Sequence, residues 1–67
     1  MWNLEGMRVE GIYLGEFEVS GLVVMSRVKY GGGVVHTVVL YDPIEVYGAL
    51  RERVLIDHED IMVVADR

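Results

Sequence analysis

Ser26, Arg27, Lys29, Tyr30 and His36 lie on either side of three consecutive glycines, Gly31, Gly32 and Gly33. Two cationic side chains and an imidazole beside a phenol ring form an anion-binding set. The charged donors make charge-assisted hydrogen bonds, and Tyr30 offers a flat stacking platform. A phosphate, a nucleotide or an acidic protein segment is the ligand such a patch takes. The same residues also serve the simpler purpose of a hairpin end whose solvated charges keep exposed strands from pairing with other chains. In an extended strand Ser26 and Tyr30 share one face and Arg27 and Lys29 the other, because successive side chains alternate.

Elsewhere the chemical vocabulary is sparse. His36 stands among valines, where a single imidazole is expected to be half-buried and hydrogen-bonded rather than catalytic. His58 belongs to the polar run Asp57, His58, Glu59, Asp60. A calcium loop needs a longer series of spaced oxygen ligands around a glycine turn, so this run is expected to be a solvated turn without metal. There is no cysteine, and neither Ser20 nor Ser26 has the glycine-flanked setting of a nucleophile elbow. Gly11, Gly15 and Gly21 do not open a helix, so no phosphate-cradling loop is expected. No catalytic residue and no cofactor follow from the sequence, and a chain of 67 residues has little room for an enclosed pocket.

The elements that position these residues are extended throughout. The β-branched runs 22–30 and 34–40, joined by the glycines, predict a hairpin, because glycine enters the positive-φ conformations of a tight reversal without steric cost. Residues 7–14 read as an earlier strand closed by a reversal at Gly15 and Glu16. The stretch 17–30 is too long to stay straight, and Gly21 marks a bend within it. After residue 40, Tyr41-Asp42-Pro43 predicts a turn, and 44–47 a short strand. Residues 49–53 predict a polar loop with room for one helical turn. Residues 54–56 and 61–64 predict two closing strands separated by a 3₁₀ turn, with Asp57 capping that turn. No segment sustains helical periodicity, and no linker divides residues 1–67. The expected fold is one all-β domain of five to six strands.

Composition limits function further. Eleven carboxylates against six lysines and arginines give a net charge of -5, which repels phosphate backbones at long range and disfavours nucleic acid as a partner. No apolar run approaches the ~20 residues of a membrane-spanning helix, and residues 1–5 lack the pattern of a signal peptide, so a cytoplasmic protein without membrane contact is expected. Hydrophobic residues make up 52% of the chain, which is more than one small interior can hide. Residues 22–25, 38–40 and 61–64 are apolar on both strand faces. Burial on both faces predicts a homo-oligomer or a protein partner, unless residues 1–6, with Trp2 and Leu4, fold back over the outer face.

This layout resembles the small SH3-like and Sm-like barrels over residues 7–65, with a long bent second strand and a 3₁₀ turn before the last. Residues 53–64 are similar to the closing strands of Sm-like proteins, although Asp57-His58 stands where those carry Arg-Gly, so Sm-type RNA binding is not implied. The stretches 26–32, 36–40 and 43–48 resemble small β-proteins of tailed bacteriophages. That resemblance implies an origin and a size class only, and places the chain in the cytoplasm of an infected bacterium; an accessory role in infection, such as binding a host protein, is then expected, with a structural role in the virion or its assembly as a further alternative. Together these features predict a non-enzymatic, self-associating binding module, with a basic hairpin patch for nucleic acid or a nucleotide as the alternative.

Overall fold

The computed structural model describes residues 2–65, so Met1, Asp66 and Arg67 of the expected domain lie outside the described residues. Five strands follow in order: β1 (Arg8–Tyr13), β2 (Phe17–Val28), β3 (Val34–Val46), β4 (Ala49–Asp57) and β5 (Ile61–Ala65). One 3₁₀ turn, His58–Asp60, stands between β4 and β5. The strands form a single antiparallel sheet in the order β4-β3-β2-β1-β5, and the described residues contain no α-helix. The expected all-β class is therefore what the chain adopts. Its origin is visible in β3, where His36, Val38 and Leu40 are buried and Val35, Thr37 and Val39 are only partly covered, the two-residue period of a strand with one interior face.

The glycine hairpin forms as its composition requires. Val28 pairs with Val34, the Lys29 N–H donates to the Gly33 carbonyl, and all three glycines take positive φ. A residue with a Cβ would be strained at each of these positions. Gly21 has a different task. It pairs with Leu40, and a Cβ there would collide with the backbone carbonyl oxygen of Val39. The missing side chain is what lets β2 and β3 approach at this level. The register shift of β2 comes slightly later, between Val23 and Met25.

Three local expectations are corrected. Tyr41-Asp42-Pro43 is not a turn but lies inside β3, where the pairing with β4 is irregular between Val39 and Ile44. Pro43 lacks a backbone N–H, and an irregular segment is where a strand tolerates that loss. Residues 49–53 are not a loop with a helical turn but the first half of β4. Tyr47 and Gly48, both at positive φ, make a two-residue reversal that sets Ala49 opposite Val46 and commits the following residues to the ladder. Asp57 makes no side-chain cap on the 3₁₀ turn, because its carboxylate is held by Lys29 instead.

Leu4, Val9, Val19, Val23, Val38, Leu40, Val54 and Ile56 form the core, flanked by Met7, Tyr13, Phe17, Ile44 and Ile61. The sheet curls so that β1 lies against β4 and the 3₁₀ turn as well as its ladder neighbours. Residues before β1 extend its pairing with β2: the Val23 N–H donates to Met7 O and the Gly6 N–H to Val23 O. This places Leu4 inside the core rather than over the outer face, while Trp2 stays exposed. No helix among the described residues is long and apolar enough to cross a membrane.

Candidate functional site

Ser26 and His36 are cross-strand partners on β2 and β3, just beyond the β2 register shift. The extra residue turns Ser26 to the same interior side as Val23, and His36 lies there with Val38. His36 is wholly buried and Ser26 nearly so. Buried polar groups need partners, and these have them. The Leu4 N–H donates to Ser26 Oγ at 3.0 Å, and Ser26 Oγ lies 2.7 Å from His36 Nδ1. On the far side of the ring His36 Nε2 lies 2.8 Å from His58 Nδ1.

The Ser26 oxygen accepts from the Leu4 N–H and shares a second hydrogen bond with His36 Nδ1, and His36 Nε2 shares one with His58 Nδ1; in a neutral ring one of these two nitrogens donates and the other accepts. Burial first, and the neighbouring His58 second, push the His36 pKa below the ordinary 6.5, so the ring is held neutral. The Ser26 backbone N–H donates to the Glu5 carboxylate at 3.0 Å, tying the segment before β1 to the same point. A hydrogen-bonded chain thus runs from the N-terminal segment through the core to an exposed imidazole on the 3₁₀ turn.

The remaining hairpin residues point elsewhere. Arg27 pairs with Val35 on the outer face, and Lys29 reaches across to Asp57 at 3.0 Å. Tyr30 projects from the turn fully exposed. Of the five residues expected to act together, Ser26 and His36 meet in the interior, Arg27 and Lys29 stand outside, and Tyr30 stacks on neither cation among the ring contacts of the described residues. A shallow pocket of about 270 Å³ between Lys29 and His58 is also lined by Asp57 and Glu59, whose carboxylates offset its positive charge. The described residues contain no cluster suited to a metal ion.

His58, Glu5 and Leu4 complete the network around Ser26 and His36 and were not signalled by spacing. His58 is 22 residues from His36, and only the placement of the 3₁₀ turn over the end of β3 joins them. A second arrangement was foreshadowed by the two-faced apolar runs. Outward positions of β2, β3 and β4 line up in register: Leu22, Val39 and Arg53 in one row, Met25, Thr37 and Leu55 in the next, Arg27, Val35 and Asp57 in the third. Met25 is 51% exposed and Leu55 57%, too open for structural packing. Apolar side chains therefore occupy the middle of this face and charged ones its margin. Compared with protein-family models, with curated proteins and with solved structures, the chain matches none of them.

Proposed function

We propose that this chain is a non-enzymatic protein-binding module on an SH3-like barrel, with the outward face of β2, β3 and β4 as its working surface. The apolar centre of Leu22, Met25, Val39 and Leu55 inside a charged margin carries this proposal, since an apolar middle and a polar rim are the anatomy of a protein interface. The barrel assignment is supported by the β5-β1-β2-β3-β4 order, the 3₁₀ turn before β5, and the approach of β1 to β4 across the core. Burial of Ser26 and His36 supports a non-catalytic role, because no substrate reaches a wholly enclosed imidazole. The sheet edges are poor docking places. β4 carries Arg51, Glu52 and Arg53, and β5 is short and interrupted by a register shift against β1. In a bacteriophage setting the partner is a host protein.

The test is capture of a partner from bacterial lysate by the wild-type chain and by a Met25→Lys, Leu55→Lys variant, followed by reconstitution with the purified captured protein. Loss of reconstituted binding in a variant that keeps its circular dichroism spectrum and melting temperature supports the assignment. Undiminished binding by the variant refutes it.

A further inference from the structure

Building on that assignment of a binding face, we infer that its partner is an acidic protein segment lying extended across β2, β3 and β4, with carboxylates on one side flanking an apolar residue. The charges on the face decide this. The whole chain carries a net charge of -5, yet this surface presents Arg27 and Arg53 outward, and neither forms an ion pair among the described residues. Within the three rows the carboxylate, Asp57, is already engaged by Lys29, and the outward Glu18 of β2 lies beyond the Leu22 row. The local field is positive on an acidic protein, and the complementary surface is negative.

Geometry narrows the occupant. Arg27 and Arg53 are separated by two strand intervals and by four residues along β3, from Val35 to Val39. With strands ~4.8 Å apart and ~3.3 Å per residue, that is roughly 16 Å. An extended chain spans ~13 Å between residues i and i+4, which share a side, and flexible guanidinium arms cover the remainder. Residue i+2 then faces the apolar middle, over Leu22, Met25, Val39 and Leu55. A second copy packed face to face is disfavoured, because it brings four uncompensated guanidinium groups into one interface. Nucleic acid is disfavoured because its phosphates gain nothing from an aliphatic centre and meet the net negative charge of the chain.

The experiment is titration of the ¹⁵N-labelled chain, followed by amide chemical shifts, with the acetylated and amidated peptide Asp-Thr-Leu-Thr-Asp-Thr-Leu-Thr-Asp. Parallel titrations use the same peptide with Lys or Asn for each Asp, an oligo-dT strand, and dilution of the protein alone. The expected result is saturable shifts at Leu22, Met25, Val35, Thr37, Val39 and Leu55 with the Asp peptide. The affinity should fall about tenfold or more in an Arg27→Glu, Arg53→Glu variant that melts as the wild type does. Equal response to the Lys or Asn peptide overturns the acidic partner while leaving the binding face in place. Dilution-dependent shifts at these residues put a second copy there and overturn it too, as do shifts produced by oligo-dT alone. No response on this face to any probe removes both the acidic partner and the face.

Discussion

Acidification acts on the buried imidazole in a direction the structure fixes. The His36 pKa is held below 6.5 in the folded chain, mainly by burial and then by His58, whereas the unfolded chain takes up the proton near 6.5. Below that pH the unfolded state binds more protons, so stability must fall as pH falls, until the folded-state value is itself passed. This contribution is full above pH 6.5. Below 6.5 the loss is at most about 1.4 kcal/mol per pH unit, the limit that holds while the unfolded chain alone takes up the proton. Most carboxylates remain ionised between about pH 6.5 and 5.5, and comparison with a His36 variant separates the contribution of this imidazole from the rest of the chain. With a urea m-value of about 1 kcal/mol/M for so small a chain, the unfolding midpoint falls by up to ~1.4 M per pH unit. His36→Asn keeps a hydrogen-bonding group beside Ser26 Oγ but does not titrate. It should lower stability by ~1–3 kcal/mol at pH 7.5, through the lost bond to His58 and the lost packing, and should flatten the dependence between pH 7.5 and 5.5. Urea titrations followed by circular dichroism at several pH values measure both. A wild-type midpoint that stays constant across this range, or a variant that declines in parallel with it, would show that His36 titrates freely and that the described enclosure is wrong.

Three further outcomes follow from particular contacts. Gly21→Ala drives a Cβ into the Val39 carbonyl and should cost ~3 kcal/mol or more, seen as a collapsed thermal transition, whereas Gly15→Ala meets no neighbour and is strained only by its φ of 74°. Ser26→Ala leaves the buried Leu4 N–H without an acceptor and should lower stability by ~1–3 kcal/mol, with faster hydrogen exchange at Leu4. Lys29→Ala removes an ion pair whose partners are 45% and 44% exposed, so its effect should stay under ~1 kcal/mol in denaturant titration and shrink further in salt.

Much of the architecture was legible in the sequence, and its limits can be placed residue by residue. The apolar runs on either side of Gly31–Gly33 determined the β2–β3 hairpin, because β-branched side chains and positive-φ glycines act within a few residues of chain. Absence of helical periodicity likewise determined an all-β chain. The two-faced apolar runs identified the outward surface around Leu22, Met25 and Val39, though not the contribution of Leu55 and Arg53 from β4. At residues 41–43 and 49–53 local turn chemistry yields to ladder pairing, an interaction with distant residues that local sequence does not show.

The hairpin cluster shows the division most clearly. Residue types alone grouped Ser26, Arg27, Lys29, Tyr30 and His36, and strand alternation already separated Ser26 from Arg27 and Lys29. Only the tertiary structure decided that Ser26 and His36 are sealed inside, that His58 meets His36 across 22 residues, and that Lys29 is taken by Asp57 across 28. Burial and long-range pairing depend on where the sheet curls and how the 3₁₀ turn docks, and no local spacing encodes either. The sequence by itself determined which chemistry the hairpin could offer; the curled sheet, by enclosing the imidazole and leaving Arg27 and Arg53 on separate rows of the outer face, decided which of it solvent can reach.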